Sequence, residues 1–183
     1  SNGNAGAVKA LLAKGAKVNA RDNNRRTALM WAAHNGDAES VQALLDAEAQ
    51  TKLAAKDGGT ALMSAARAGN LEALKLLLEA GEAINAREEI GWTALMAAAS
   101  NGHTEAVKIL LDAGADPSVK AKGGWNALIG AAAHGDVESV KALLEHDAPV
   151  DMADDNKATA LMHASAQGRT EVVKVLLEAG ADP

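Results

Sequence analysis

The chain has 183 residues, a formal net charge of −6 and no cysteine. The excess of acid disfavours non-specific binding to nucleic acids, which depends on Lys and Arg neutralising phosphates. The lack of cysteine excludes disulfides, thiolate metal sites and cysteine nucleophiles. No apolar run is long enough to span a membrane and the first residues do not resemble a signal peptide, so we expect a cytoplasmic protein without membrane partners.

Large aromatic side chains are almost absent. There is no Phe or Tyr, and the three tryptophans are Trp31, Trp92 and Trp125. A deep globular core normally uses aromatic side chains to fill its centre. A chain rich in Ala and Leu instead favours thin layers of closely packed helices.

A repeat of 33 residues runs through the whole chain. The sequence Thr-Ala-Leu-Met, or a close variant, begins at residues 27, 60, 93, 126 and 159, and a glycine and a Leu-Leu pair recur with the same step. Such self-similarity is typical of stacked repeat proteins. In chain order, the spacing predicts a partial repeat over 1–21, full repeats over 22–54, 55–87, 88–120 and 121–153, and a last repeat over 154–183 that lacks its final hairpin.

Each unit is predicted to contain two helices. The first helix begins after the Thr, whose hydroxyl can accept from free backbone N–H groups, and ends at the recurring glycine. The second helix carries apolar residues at helical spacing, such as Val107, Leu110 and Leu111. A turn such as Gly114–Asp116 then leads into a short hairpin. The predicted fold class is all-α, a solenoid of stacked helix-turn-helix units.

The unit resembles the ankyrin repeat. The stretch most similar to the family pattern is Gly-Trp-Thr-Ala-Leu-Met at 91–96, followed by Gly-His-Thr-Glu-Ala-Val-Lys at 102–108 and Gly-Ala-Asp at 114–116. The resemblance covers essentially the whole chain. It implies an ankyrin-repeat solenoid with a concave groove, and a role in binding other proteins.

The repeats depart from the family pattern in two ways. The family's Pro-Leu-His is replaced by Ala-Leu-Met, which removes a histidine that usually ties the hairpin to the helix start. Glu48 and Asp147 replace turn glycines, and a left-handed backbone costs a non-glycine residue about 1 kcal/mol or more. We expect the hairpin after Glu48 to be the most irregular joint of the array.

The resemblance places partner contacts on the hairpin tips and on the ends of the first helices. These positions differ between copies, whereas the framework glycine and leucines do not. The candidate partner-binding residues are Arg26, His34, Arg87, Ile90, Trp92, Asn101, Lys120, Lys122, Trp125 and His134. Tryptophan is a frequent interface anchor, but a tryptophan in a hairpin can also fold over its own backbone. We expect Trp31, which lies within a first helix, to be buried against a neighbour.

The charge pattern suggests the chemistry of the partner. Lys and Arg gather on the hairpins, whereas the acidic excess lies on the second helices and their ends. An acidic or mixed polypeptide with an apolar anchor fits a mildly basic groove. A merely solvated surface would give a similar charge pattern.

Catalysis, metals and cofactors are not expected. His34 and His134 lie three repeats apart, or about 30 Å for helices about 10 Å apart, which excludes shared metal coordination. His103 occupies a position with a structural role in the family, and no Ser-His-Asp, Cys-His or paired-carboxylate arrangement shares a repeat.

Two alternatives to a binding module remain. Neither end of the array carries the polar face of a capping repeat. The chain could therefore be a scaffold or spacer, engineered or part of a longer array, that self-associates end to end. Least expected is the non-catalytic part of an enzyme.

Overall fold

The computed structural model describes residues 2–183, which form eleven α-helices arranged as a partial unit followed by five helix pairs. The helices are α1 (Asn2–Ala13), α2 (Ala28–Asn35), α3 (Ala38–Asp46), α4 (Ala61–Ala68), α5 (Leu71–Glu79), α6 (Ala94–Ser100), α7 (Thr104–Asp112), α8 (Ala127–His134), α9 (Val137–Glu145), α10 (Ala160–Ala166) and α11 (Thr170–Glu178). Residues 2–183 contain no sheet and a single isolated bridge, between Arg21 and Thr27. The all-α repeat solenoid is confirmed.

Side chains and glycines define the first helix of each pair as the sequence predicts. The Thr27 hydroxyl accepts from the backbone N–H of Met30 at the start of α2. The equivalent residues Thr60, Thr93, Asn126 and Thr159 do the same at α4, α6, α8 and α10. Helix α2 ends at Gly36, whose φ of 70° is left-handed and favours glycine.

The helices stack in two layers. The first helices α2, α4, α6, α8 and α10 pack on one another in order, and α1, α3, α5, α7, α9 and α11 form the second layer. Alanines let the first helices approach closely: Ala66 and Ala99 are completely buried. Leucines such as Leu77 and Leu110, also completely buried, fill the space between the layers. The core is therefore thin and continuous, as expected from the scarcity of aromatic residues.

Backbone hydrogen bonds join each hairpin tip to the next. These bonds are Lys56 N–H to Asn24 C=O (2.8 Å), Glu89 N–H to Asp57 C=O (2.8 Å), Lys122 N–H to Ile90 C=O (2.9 Å) and Asp155 N–H to Gly123 C=O (2.9 Å). Because the bonds use only the backbone, they hold the tips in register without fixing which side chains the tips carry. The groove side can thus vary in sequence while the stack stays regular.

The turn at Glu48 keeps the backbone of a glycine turn. Glu48 and Asp147 both have a left-handed φ of 61°, as expected from the glycines that they replace. However, Glu48 N–H and Ala49 N–H bond back to the end of α3 at 2.9 Å, in the same pattern as the turn at Gly81. The backbone of the turn itself is therefore regular.

The joint after Glu48 instead lacks one side-chain bond. The side chains of Asn19, Asn85 and Asp151 each accept from a backbone N–H of the following repeat. Lys52 occupies the equivalent position and has no acceptor atom in its side chain. Ser118 is the other exception, because the equivalent donor position in the next repeat is Pro149, which has no N–H. Lys52 thus removes a cross-link between repeats and leaves the backbone path unchanged.

Apolar side chains are exposed at both ends of the stack. Leu11 is 61% exposed, Met162 52% and Leu177 45%. Leu44 and Met63, which occupy the same repeat positions as Leu11 and Met162, are buried between neighbouring repeats. None of the helices in residues 2–183 has the length and apolar character needed to cross a membrane.

Candidate functional site

The groove surface is shaped by two positions in each repeat. One lies on the hairpin just before the capping residue, and the other lies on the first helix five residues later. The pairs are Arg26 and Trp31, Gly59 and Ser64, Trp92 and Ala97, Trp125 and Gly130, and Ala158 and His163. Four of the five repeats place one aromatic ring at this level, whereas the second repeat has only Gly59 and Ser64.

Trp125 is held between two neighbouring repeats. Its indole Nε1–H donates to Ser100 Oγ in the preceding repeat at 3.3 Å. Its ring meets the His163 ring of the following repeat edge to face, with centroids 5.2 Å apart. The ring is partly buried against the core. The geometry of Trp125 is therefore that of a partly exposed packing residue.

The partner of Trp125, His163, is itself anchored. His163 Nε2 lies 3.0 Å from Asp154 Oδ2. The pKa of Asp154 lies below its usual range, mainly because its carboxylate accepts from the backbone N–H of Ala158. The hydrogen bond with His163 lowers the pKa further. Trp125, His163 and Asp154 thus form a connected cluster across the last two hairpins.

The other predicted contact residues divide into supporting and exposed groups. Trp92 is partly buried against the core, like Trp125. The Arg87 guanidinium donates to the C=O groups of Gly91 and Lys120, so this residue also braces two hairpins. Ile90, at the hairpin tip, is 49% exposed.

Polar and basic side chains surround Ile90 in the same part of the groove. Lys120 and Lys122 are exposed on the next hairpin. Asn101 and His134 are exposed at the ends of α6 and α8, and Asn101 also donates to Ala97 C=O at 2.7 Å. We define the central patch as Ile90, Asn101, Lys120, Lys122 and His134, with Trp92, Trp125 and Arg87 beneath and beside it.

Trp31 faces the groove, which contradicts the expected burial. It is 44% exposed. Its Nε1–H donates to Asp22 Oδ2 at 3.3 Å, and the Arg26 guanidinium carbon lies 5.1 Å from the ring centroid, a cation–π contact. These contacts are both within its own repeat, and the ring stays open to solvent.

A signal in the sequence could have located Trp31 correctly. The equivalent residues are Ser64, Ala97, Gly130 and His163, a set that differs in size and chemistry from copy to copy. Most buried framework positions vary less, such as the one that holds Leu29, Leu62, Leu95, Leu128 and Leu161. Variation between copies therefore identifies a groove position even inside a helix.

A surface cavity lies beside Trp31, where the second repeat has no ring. Its walls include Arg26, Trp31, His34, Ser64, Arg67 and Glu88, and the methionines Met30 and Met63 lie at its base. Arg67 pairs with Glu88 at 3.1 Å, and Arg26 lies 3.9 Å from Asp57 on the rim. Two of the predicted contact residues, Arg26 and His34, thus belong to this cavity and not to the central patch.

Two further histidines, His103 and His146, make individual structural contacts. His103 Nε2 lies 3.1 Å from the C=O of Arg67 in the preceding repeat, which confirms its structural role. His146 Nδ1 lies 2.9 Å from Ala142 C=O at the end of α9. Among residues 2–183, no three His, Asp or Glu side chains gather in a way that could hold a metal ion.

Stacked helix pairs with a hairpin-lined groove define a helical-repeat solenoid. The family model for ankyrin repeats matches the chain three times, over residues 1–88, 49–121 and 95–183. The chain therefore belongs to the ankyrin repeat family. No curated protein matches it. Ankyrin repeats generally serve as protein–protein interaction modules and are typically non-catalytic.

Proposed function

We propose that the chain is a binding module that takes a polypeptide partner along its groove, with the central patch as one contact region. The observation that carries the proposal is the exposed Ile90, an apolar side chain at a hairpin tip whose backbone is fixed by the next repeat. An apolar group held in this way is pre-organised for contact and loses little freedom on binding. Lys120 and Lys122 beside it favour an acidic or mixed segment over a basic one.

The half-buried tryptophans contribute to this site indirectly. Trp92 and Trp125 support the patch from below, so their truncation would disturb the fold as well as binding. Arg87 has the same double role, because its guanidinium joins two hairpins. Ile90 is therefore a cleaner residue to vary than either tryptophan.

The test compares two exposed apolar residues. Partner capture from the source cell is measured with wild type, Ile90→Ser and Leu177→Ser, together with the melting temperature of each variant. Leu177 is the matched control, because it is similarly exposed but lies at the end of the stack. We expect Ile90→Ser to lose the captured polypeptide at an unchanged melting temperature, and Leu177→Ser to retain it. Equal capture by wild type and Ile90→Ser would refute the groove proposal.

A second candidate function rests on the exposed Leu11, Met162 and Leu177. These side chains could support end-to-end association between copies in a scaffold or spacer. Sedimentation velocity at increasing protein concentration tests it. Association that Leu177→Ser abolishes and Ile90→Ser leaves intact would favour the scaffold over the groove-binding module.

A further inference from the structure

The cavity in the second repeat lies where the third and fourth repeats place an indole. Trp92 and Trp125 occupy, in the third and fourth repeats, the position that Gly59 occupies in the second. Trp125 shows what fills this space: its ring rests against Ser100, one repeat back. The residue equivalent to Ser100 beside Gly59 is His34, which lines the cavity. The cavity therefore coincides with the volume of a missing aromatic side chain.

The surfaces of the cavity suit an aromatic ring. Met30 and Met63 at its base are only 3% exposed, and thioethers pack well against aromatic rings. The Trp31 ring forms one wall and remains open to solvent. Ser64 Oγ–H already donates to Thr60 C=O at 2.9 Å, so this hydroxyl does not require a partner from outside.

The charges around the cavity argue against a charged occupant. Arg67 is paired with Glu88, and Arg26 lies over the Trp31 ring and near Asp57. A buried carboxylate or ammonium group would have to compete with these pairs and lose its hydration. An aromatic ring would leave the pairs in place and would add a face for the guanidinium groups at the rim.

We propose that the second-repeat cavity binds an aromatic side chain of a polypeptide partner, which completes the row of rings formed by Trp31, Trp92, Trp125 and His163. The inference rests on the proposed function, because it assigns one anchor of a groove-bound segment. It differs from the central patch in place and in chemistry. The partner would then present an aromatic residue to the second repeat and its acidic groups towards Lys120 and Lys122.

A probe titration tests the cavity without the partner. The ¹⁵N-labelled protein is titrated with N-acetyltryptophanamide, and the three indole N–H signals are followed together with the amides of Gly59 and Ser64. We expect saturable shifts at Trp31, Gly59 and Ser64, and none at the indoles of Trp92 and Trp125. N-acetylleucinamide and N-acetylglutamic acid amide should bind about two- to tenfold more weakly, the range expected for a specific aromatic contact.

A filled cavity provides the decisive variant. Gly59→Trp supplies the ring from the chain itself, and φ at this position is not left-handed. A Cβ there would approach Asp57 Oδ1 at 3.1 Å, the end of a side chain that can move. The matched control is Ala158→Trp, at the equivalent position of the last repeat. We expect at least about a tenfold loss of probe binding in Gly59→Trp and wild-type binding in Ala158→Trp.

The outcomes separate this inference from the proposed function. Three results would each overturn the proposal that the cavity binds an aromatic ring. They are unchanged probe binding in Gly59→Trp, no saturable shift at Trp31, and tighter binding of the leucine or glutamate probe. If Gly59→Trp fails to fold, Trp31→Leu decides instead, with an expected loss of about two- to tenfold and unchanged binding as the contrary result. Loss of partner capture by Ile90→Ser alongside a negative probe titration would retain the groove and reject the cavity.

Discussion

Glu82 is a buried carboxyl group whose titration should make stability depend on pH. The turn between the second and third repeats places Glu82 where the other turns have Ala49, Ala115, Ala148 and Ala181, and the residue is only 6% exposed. Both carboxylate oxygens accept from the Leu62 N–H at the start of α4, at 3.1 and 3.2 Å. Burial outweighs these bonds and the one with Thr60, and raises the pKa of Glu82 from its ordinary 4.5 to about 7.

The direction and size of the effect follow from proton linkage. Because folding raises the pKa of Glu82, the protonated carboxyl group stabilises the folded state. This stabilisation is complete below about pH 4.5 and is lost as the pH rises through about 7. One pKa unit corresponds to about 1.4 kcal/mol. Between pH 5 and pH 8, the shift is therefore expected to remove about 2.5 kcal/mol from the free energy of unfolding.

The experiment compares wild type with Glu82→Gln and Glu82→Ala. The free energy of unfolding is measured by urea titration, followed by circular dichroism, at intervals from pH 5 to pH 8. Relative to Glu82→Gln, wild type should lose about 2.5 kcal/mol over this interval. Glu82→Ala, which restores the residue of the other turns, should be more stable than wild type at pH 8.

Glu79→Gln is the control, because Glu79 belongs to the same repeat and is exposed. It should differ from wild type by no more than about 0.5 kcal/mol at every pH. A wild-type curve parallel to that of Glu82→Gln would refute the burial argument. If wild type instead loses stability relative to Glu82→Gln as the pH falls, the hydrogen bonds to α4 dominate over desolvation.

Two further predictions concern backbone geometry. Gly124→Ala should destabilise the stack by about 3 kcal/mol, because a left-handed φ of 74° is combined with a Cβ only 2.6 Å from Asp154 Cα. Gly123→Ala, with φ of 79° but nothing within 4 Å, should cost about 1 kcal/mol; equal losses in thermal unfolding would show that backbone strain alone matters. Glu48→Gly should stabilise the protein by about 0.5–1 kcal/mol by relieving its left-handed φ of 61°, and Asp147→Gly by less. A lower urea midpoint for Glu48→Gly would contradict this account.

The framework of the fold could be predicted because it repeats. Thr27 and its equivalents cap the first helices, Gly36 ends the first of them, and the leucine pairs mark the second helices, so each inference was supported by several copies. The left-handed turns at Glu48 and Asp147 were predictable for the same reason. Two other left-handed residues, Arg25 and Lys157, are not among the predictions, although they share a hairpin position with Gly58, Gly91 and Gly124.

Some features depend on the sizes of side chains that meet across two repeats. The pattern within one repeat does not predict them. The place of Trp31 within a first helix predicts burial, whereas the side chain is 44% exposed. The cavity beside it is set by the absence of a ring at Gly59 and Ser64, which only a comparison of paired positions reveals. Glu82 was likewise visible as the only acidic residue among equivalent alanines, but its burial required the neighbouring helix to be placed.

The same geometry explains how this chain can separate stability from recognition. Hairpin tips are joined through backbone atoms from Asn24 to Asp155, so a tip side chain can change without breaking the ladder. The aromatic positions differ in how freely their side chains can change. Trp125 contacts Ser100 and His163, whereas Gly59 leaves the equivalent space open. A ring supplied by the chain contributes to stability, and a ring supplied by a partner contributes to binding at the equivalent place. The second repeat thus lacks a packing contact that other repeats make internally. An aromatic side chain from a partner is expected to bury the most surface at this place.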